Sequence, residues 1–330
     1  MNKIRLILTV ITFLLVNNIY SQNWVNQLHL NSTGNVKVLD GVYDIKLKNY
    51  LVTGYFTDTI LTANDTLTTS LRGVFLASYD ENFHLNWIYE IDGSSYEYRT
   101  NLNIDENSNI YLSGVFFSDD CSFDSDTTIA SDGSGDIYFS KFTPNGQLNW
   151  VNHIGRGGSF QKNGKIMIDN SNDIIATLDY QDSVIIADKD KDTTIYSGPE
   201  SSDATVIIKL DSSGIIYNNA IYNIQTKGDN GTANIYGIKE HNGNYHFSGR
   251  FQDSVFFQSG GYESTNSSYD NFLLKTDNNL NDLWLRRTYG SSNDYPGSTT
   301  NDQYGNVYLT GFFNSTDYHA DSTASITSNV

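Results

Sequence analysis

The stretch that decides the fold is residues 109–116, which read NIYLSGVF, apolar positions around a glycine with an aromatic residue at the end. It returns as NYLVTGYF at residues 49–56 and as NVYLTGFF at residues 306–313. Weaker copies are found at residues 244–251 and 173–180. Self-similarity at a period of roughly 60 to 70 residues indicates a repeat architecture.

Aromatic residues give a second landmark with the same period. The four tryptophans, with a tyrosine in the remaining place, recur at intervals of 63, 63, 67 and 67 residues. They are Trp24, Trp87, Trp150, Tyr217 and Trp284. Each unit reads as four strands separated by turn residues, which in the second unit lie at about residues 99–104, 109–116, 136–142 and 147–154. No stretch shows sustained apolar spacing of three and four, so almost no helix is expected.

The recurring strand is apolar on both faces, with Ile110 and Leu112 on one and Tyr111 and Val115 on the other. Such a strand suits a sheet that is covered on both sides. The sequence therefore predicts an all-β fold, a β-propeller of four-stranded antiparallel blades with four complete blades and a partial one. The recurring glycine is expected to let neighbouring sheets approach. A β-solenoid is the alternative, and the missing strands after Val330 favour a truncated chain.

The N-terminus has the pattern of a secretory signal peptide. Lys3 and Arg5 precede an apolar run at residues 6–16, and cleavage is expected between Ser21 and Gln22. Residues 1–21 are thus the predicted signal peptide and residues 22–330 the repeat domain, which places the mature protein outside the cell or on its surface. No later segment is apolar and long enough to cross a membrane.

Charge and cysteine content exclude several classes of protein. The chain has 38 acidic against 20 basic side chains, a net charge of −18, which a nucleic-acid backbone would repel. A single cysteine, Cys121, excludes an internal disulfide and a multi-cysteine metal site. It lies in an acidic segment that disfavours a thiolate, so we expect an unreactive thiol.

The repeat resembles the bacterial β-propeller repeat family known as SBBP repeats. The family pattern has an Asp turn, Gly-Asn-x-Tyr-x-x-Gly, an Asp-x-Phe-x-x-Lys strand and a final Leu-Trp. Residues 302–311 carry its first half, and residues 136–150 and 270–284 carry the second. The third unit departs from it, with Leu178 for glycine and Tyr217 for tryptophan. The resemblance implies a secreted or surface protein of a Gram-negative bacterium.

Two further patterns concern turns and modification. Asp followed by Ser or Thr, and then by an aliphatic residue or Thr, recurs, and three copies stand directly after a second strand, at Asp58, Asp182 and Asp253. This tripeptide is similar to an O-glycosylation acceptor of the same bacterial group, and turn formation by Asp explains it equally well.

Loops between successive units repeat a Gly-Ser-aromatic-acid theme. In a propeller these loops converge near the axis, where aromatic rings beside charged groups would suit a sugar ring or a peptide. The candidate ligand-binding residues are Tyr96, Glu97, Arg99, Arg156, Phe160, Asp294 and Tyr295. For each of them, simple turn formation with the aromatic packed beneath is the alternative.

No cofactor is predicted, and no catalytic residues are assigned. The histidines have no metal-binding spacing. Asp188, Asp190 and Asp192 alternate as in a calcium loop, but Thr193 and Pro199 stand where Gly and Glu would be needed. A looser calcium site and a solvated acidic hairpin both stay open for these aspartates.

The sequence therefore predicts a secreted or cell-surface, non-catalytic binding or adhesion module whose partner is a glycan or a protein. The first alternative is a polysaccharide-active enzyme, a lyase or glycosidase, that uses carboxylates near the propeller axis, such as Glu97 and Asp294. The second alternative is a structural spacer in a larger surface protein. The fold alone does not choose among them.

Overall fold

The computed structural model describes residues 30–62, 65–131, 135–155, 161–187, 193–197, 203–320 and 325–326. The predicted signal peptide and its cleavage site lie outside these residues. So do Trp24, Arg156, Phe160, Asp188, Asp190 and Asp192.

The described chain consists of β-strands, with one short 3₁₀ turn at Thr265–Ser267. All the strand ladders are antiparallel, which suits hairpins and does not fit the coils of a parallel β-helix. The predicted all-β class and the near absence of helix are confirmed. Within the described segments, no helix has the length and apolar character needed to span a membrane.

The strands fall into five consecutive units with a common order. Unit one contains β1 (Asn31–Ser32), β2 (Val36–Asp44), β3 (Asn49–Phe56), β4 (Thr59–Leu61), β5 (Thr66–Thr68), β6 (Gly73–Tyr79) and β7 (Leu85–Ile91). Unit two contains β8 (Glu97–Ile104), β9 (Ile110–Phe116), β10 (Cys121–Ser122), β11 (Thr128–Ile129), β12 (Asp136–Phe142) and β13 (Leu148–Ile154). Unit three contains β14 (Gln161–Ile168), β15 (Ile174–Tyr180), β16 (Ser183–Ala187), β17 (Thr193–Ser197), β18 (Ala204–Leu210) and the first part of β19 (Ile216–His241).

The remaining units continue the pattern. Unit four uses the second part of β19, then β20 (Asn244–Phe257), β21 (Gly260–Glu263), β22 (Asp270–Thr276) and β23 (Asp282–Thr288). Unit five contains β24 (Asp294–Asn301), β25 (Val307–Phe313), β26 (Tyr318–His319) and β27 (Ser325–Ile326).

Units one and two are four-stranded sheets in which each strand pairs with the next main strand, in the orders β2-β3-β6-β7 and β8-β9-β12-β13. Units three and four are joined through the long strand β19, which ends one sheet and begins the next. In unit five, β24 pairs with β25. The first strands contact one another in chain order, β2 with β8, β8 with β14, β14 with β19 and β19 with β24. They therefore form one continuous series.

A small hairpin follows the second strand in every unit, a feature that the sequence analysis did not anticipate. Examples are β4 with β5 and β16 with β17. In three units the chain turns into it through an aspartate with left-handed backbone, Asp58 (φ 68°), Asp182 (φ 57°) and Asp253 (φ 58°). Asp tolerates this conformation better than most residues, so the turn accounts for the recurring aspartate at these positions.

Six of the described turns between main strands share one hydrogen-bond pattern. In unit two, Asp105 Oδ1 accepts the backbone N–H groups of Asn107 and Asn109, both at 2.9 Å. The same pair of bonds is made by Asp80, Asp169, Asp211, Asp277 and Asp302. A side-chain acceptor that mimics a backbone turn is the physical reason for the Asp turns of the repeat.

The second strands of units two and three are buried along their whole length. Every residue of β9 and of β15 is buried, although their side chains point to opposite faces in alternation. The prediction that both faces of this strand are covered is confirmed for these units. In unit five, β25 is half-buried or exposed along its length.

The recurring glycine allows close contacts with adjacent strands of its own sheet. The prediction that it lets neighbouring sheets approach was wrong. A Cβ on Gly114 would lie 2.4 Å from the Tyr138 hydroxyl of the adjacent strand, and one on Gly54 would lie 1.9 Å from the carbonyl oxygen of Lys37. Each glycine stands opposite or beside a register shift in the first strand. The absence of a side chain at the glycine leaves space for the β-bulge in the first strand. In unit three, where Leu178 replaces glycine, the bulge itself contains Gly164.

The tryptophans connect consecutive units. Trp87 and Trp150 are each the third residue of a fourth strand. Their rings pack on the last hairpin turn of the following unit, where a Cβ on Gly146 would lie 2.8 Å from Trp87 and one on Gly214 would lie 2.9 Å from Trp150. The Trp150 indole also donates to the Ser212 carbonyl oxygen at 3.2 Å. At Trp87 and Trp150, the aromatic period of the sequence therefore marks contacts between consecutive units.

Candidate functional site

The two clearest Gly-Ser loops, in units two and five, hold their acidic residues in the same way. Glu97 accepts a hydrogen bond from the Ser118 hydroxyl, and Asp294 accepts one from Ser315 at 2.9 Å. Both carboxyl groups belong to residues with no exposed surface. Loss of hydration raises the pKa of Glu97 to about 7 and raises that of Asp294 above its usual range. These carboxylates lie beneath the loops, not at an open surface.

Other residues of the unit-two loop are accessible. The Tyr96 side chain is 46% exposed, and Arg99 is exposed with left-handed backbone (φ 59°). The backbone N–H of Glu97 donates to the carbonyl oxygen of Arg72 at 3.0 Å, which connects this loop to the third strand of unit one. The strand that begins at Glu97 therefore buries its acid and presents Arg99, and Tyr96 is exposed directly before it.

An open cavity of about 420 Å³ lies next to these residues, and four of the eight residues that line it are basic. None of the described lining residues is acidic, although the chain has nearly twice as many acidic as basic side chains. We call it the basic pocket, and its lining is Lys37, Leu39, Tyr55, Arg72, Arg99, Thr100, Asn101 and Lys165.

Bulges in the first strands of three units create the basic pocket. The strand register shifts between Val38 and Asp40 in unit one, and between Tyr98 and Asn101 in unit two. In unit three it shifts just before Lys165. A bulge re-aims the side chains around it, which is why bulges are frequent at functional sites. The inserted residues Leu39, Arg99 and Thr100 all line the cavity.

Two tyrosine rings pack against Arg72, one of the four cations of the basic pocket. The Arg72 guanidinium lies 4.5 Å from the ring centroid of Tyr55 and 5.3 Å from that of Tyr96. Such cation–π contacts fix an arginine while leaving its charge intact. The pocket thus combines a positioned guanidinium with a phenol that could carry a proton.

A second arginine with aromatic neighbours lies between units four and five. The Arg250 guanidinium is 4.2 Å from the Tyr269 ring centroid and 5.4 Å from those of Tyr236 and Tyr295. Tyr295 also stacks on Phe312 at 4.8 Å. Tyr295 was a predicted site residue, and its contacts here are with this cluster.

A pair of buried carboxylates lies between units three and four. The Asn234 Nδ2 group donates to Asp179 Oδ2 at 3.0 Å and to Asp203 Oδ2 at 3.2 Å. Asp179 also accepts from the Thr205 hydroxyl at 2.6 Å. Because one nitrogen bonds both oxygens, the two carboxylates are close neighbours. Asp179 is 1% exposed and Asp203 is 8% exposed.

Cys121 and His246 have the environments of core residues. Cys121 is completely buried near Glu97, and loss of hydration raises the pKa of its thiol far above the physiological range. This confirms the expectation of an unreactive thiol. Burial lowers the pKa of His246 to about 4, so its ring is neutral at pH 7. Among the described residues, no group of three or more His, Cys, Asp or Glu side chains could hold a metal ion.

The structure brings together only part of the predicted site. Arg99 lines the basic pocket, and Tyr96 packs on its Arg72. Asp294 and Tyr295 belong to the other end of the series of units, and Arg156 and Phe160 lie outside the described residues. Sequence analysis missed the other pocket cations, Lys37 and Arg72 from unit one and Lys165 from unit three. Lys37 and Lys165 lie within first strands and Arg72 directly precedes a third strand, and no motif in the sequence marks any of them.

Compared by sequence, the chain matches no protein-family model and no curated protein. Compared by structure, it is similar to an endo-arabinase from Bacteroides thetaiotaomicron, with 12% identity over 89% of this chain and 92% of that chain, at a TM-score of 0.40. It is also similar to a thermostable family-43 glycoside hydrolase, with 10% identity over 91% of this chain and 88% of that chain, at a TM-score of 0.43.

These comparisons correct the primary functional prediction. Both similar structures are enzymes by description, which contradicts the prediction of a non-catalytic binding or adhesion module. At these identities and TM-scores, the likeness assigns no residue, mechanism or substrate to this chain.

Proposed function

We propose that the protein is a polysaccharide-active enzyme of the lyase type, and that it cleaves an acidic, uronate-containing polysaccharide in the basic pocket. The observation that carries this proposal is the collection of Lys37, Arg72, Arg99 and Lys165 around one open cavity of a strongly acidic chain. A cavity of about 420 Å³ can take part of a sugar chain. We further propose that the stacked units surround an axis as a β-propeller.

The chemistry that such a pocket supports is β-elimination. A base removes the proton beside the uronate carboxylate, the bond to the neighbouring glycosidic oxygen breaks, and that oxygen takes up a proton. The products are an unsaturated sugar and a new chain end, and no water is consumed. Fixed cations stabilise the charge that develops on the carboxylate in the transition state. Arg72 and Arg99 can supply this stabilisation, and Tyr55 or Lys165 can move the proton.

A glycosidase is the second candidate, favoured by the carboxylates of Asp179 and Asp203. Hydrolysis requires two such groups, about 5 to 5.5 Å apart in retaining enzymes. The Asn234 nitrogen lies 3.0 Å from the Asp179 oxygen and 3.2 Å from the Asp203 oxygen. These distances limit the separation of the two oxygens to values compatible with that spacing. We place this candidate second because both aspartates are buried, whereas the basic pocket is open.

The test is turnover of a panel of acidic and neutral polysaccharides by the purified protein. Elimination yields new chain ends together with the ultraviolet absorbance of an unsaturated product, whereas hydrolysis yields chain ends alone. We expect the absorbance with uronate polymers, and its loss in Arg99→Gln and Tyr55→Phe. Arg286→Gln, at an exposed position on the fourth strand β23, is the matched control and should keep full activity.

Two outcomes would contradict the lyase proposal. One is chain ends without absorbance that disappear in Asp203→Asn, which would establish the glycosidase. The other is no turnover of any polymer by a protein with native circular dichroism. Either result would remove the assignment of elimination to the basic pocket.

We also propose that the protein is secreted after removal of residues 1–21, in keeping with the pattern of its N-terminus and the resemblance to SBBP repeats. An extracellular location would give the enzyme access to a polymeric substrate. N-terminal sequencing of protein from the culture medium should begin at Gln22, and a start at Met1 would contradict the proposal.

A further inference from the structure

The arginine–tyrosine contact of the basic pocket recurs three units later. There the arginine stands at the repeat position that the tyrosine has in unit one, and the tyrosine stands at the position of the arginine. In unit one, Tyr55 follows the recurring Gly54, and Arg72 immediately precedes the third strand. In unit four, Arg250 follows the recurring glycine and Tyr269 immediately precedes the third strand. The cation lies 4.5 Å from the tyrosine ring centroid in the first case and 4.2 Å in the second.

The next unit adds a second ring in both places. Tyr96, from the loop that leads into unit two, lies 5.3 Å from Arg72, and Tyr295, at the start of unit five, lies 5.4 Å from Arg250. Both clusters stand at the same end of their sheets, where the second strand ends and the third begins. The arginine–tyrosine pairs therefore occupy equivalent positions of the repeat with the residue types swapped. The second rings differ in position, since Tyr96 precedes the buried Glu97 and Tyr295 follows the buried Asp294.

The Arg250 guanidinium has N–H groups that can donate hydrogen bonds to a ligand. Its described hydrogen bond is a long one, from Nε to the Asn234 Oδ1 atom at 3.4 Å, and its other described contacts are with the tyrosine rings. A ring placed over a guanidinium contacts its face and leaves the in-plane N–H groups available. Arg250 is also half-buried, so it is both positioned and accessible.

We propose that Arg250, with Tyr269 and Tyr295, forms a second subsite that binds a carboxylate-bearing sugar unit of the polysaccharide held in the basic pocket. This inference rests on the proposed function. The first strands form one continuous series from unit one to unit five, and the two sites stand at the same end of it. A planar guanidinium suits a carboxylate, and the tyrosine rings offer stacking surface to the sugar.

The subsite makes binding depend on chain length. A long oligouronate occupies both sites, and its second contact is intramolecular once the first has formed. A short oligouronate fills only the basic pocket. Loss of Arg250 should therefore weaken long ligands and leave short ones unchanged, a pattern that general loss of positive charge does not produce.

The experiment is calorimetric binding of short and long oligouronates to the full chain and to Arg250→Gln, with Arg286→Gln as the control for an equal change of charge. We expect Arg250→Gln to weaken the long ligand about tenfold, as for the loss of one charge-assisted contact. The short ligand should bind as before, and the control should match the wild type. Arg250→Lys, which retains the charge but not the planar fork, should fall between.

Two results distinguish failure of the subsite from failure of the proposed function. If Arg250→Gln binds the long ligand as tightly as the wild type while Arg99→Gln binds it weakly, the subsite is wrong and the basic pocket stands. If the wild type binds neither ligand, both are wrong. Should Arg250→Gln fail to fold, equal affinity of Arg250→Lys and the wild type for the long ligand, at low salt, overturns the subsite.

Discussion

Replacing Glu97 by Gln should stabilise the protein above neutral pH and leave it unchanged in acid. The residue has no exposed surface, its Oε1 accepts from Ser118, and its Oε2 has no hydrogen-bond partner in the described chain. Loss of hydration, with smaller contributions from Asp92 and Asp120, raises its pKa from 4.5 to about 7. A glutamine side chain has the same shape as a protonated glutamate and can still accept the hydrogen bond from Ser118, but it cannot ionise.

The sign and size follow from this shift. Because the folded-state pKa is higher than the unfolded one, the stability associated with the neutral carboxyl is complete below pH 4.5 and is lost as the pH rises through about 7. A shift of this size, at about 1.4 kcal/mol per unit, amounts to about 3 kcal/mol at pH values well above 7. Glu97→Gln avoids that loss.

Urea unfolding across this pH range measures the effect. The free energy of unfolding of Glu97→Gln should exceed that of the wild type by about 3 kcal/mol in mild alkali and converge with it in acid. Burial also raises the pKa of Glu90 to about 7, but this residue is common to both proteins and cancels in the difference. Glu263→Gln, at an exposed strand position, serves as the control. Parallel pH profiles for Glu97→Gln and the wild type would refute the reasoning.

Two further substitutions test the packing of the repeat. Gly114→Val would place a Cβ 2.4 Å from the Tyr138 hydroxyl, so it should cost about 1 to 3 kcal/mol in urea unfolding, more than Gly41→Ala, where the nearest atom is at 3.2 Å; equal costs would contradict the role given to this glycine. Trp150→Ala removes the ring that packs on the turn at Gly214, and it should cost about 2 to 4 kcal/mol and speed amide exchange in units two and three more than in unit one. Uniform exchange changes would argue against coupling through neighbouring units.

Local sequence chemistry was enough to predict the main strands and the turns between them. The strand expected at residues 136–142 is β12 without change, and the turn expected at residues 105–108 is built on Asp105, because both depend on nearby residues. The small hairpins such as β4 with β5 were missed, since strands of two or three residues leave no readable alternation.

The site was harder to predict because it depends on bulges and on distant units. Alternation along β8 does not reveal that a bulge separates Glu97, which is buried, from Arg99, which faces the pocket. Lys37 and Lys165 reach the same cavity from units one and three, and only the packing of consecutive first strands brings them together. The Gly-Ser theme located Tyr96 and Arg99 but carried no information about these lysines.

Trp87 and Trp150 each pack on the last hairpin turn of the following unit, and this sets an order in which the units can be completed. Trp87 cannot take its packed position until the turn at Gly146 has been synthesised, and Trp150 waits in the same way for Gly214. During synthesis, we therefore expect the most recently made unit to expose its tryptophan to water until the next unit is complete. We expect each newly completed unit to cover the hydrophobic surface left by its predecessor, so that assembly during synthesis proceeds from the N-terminal side.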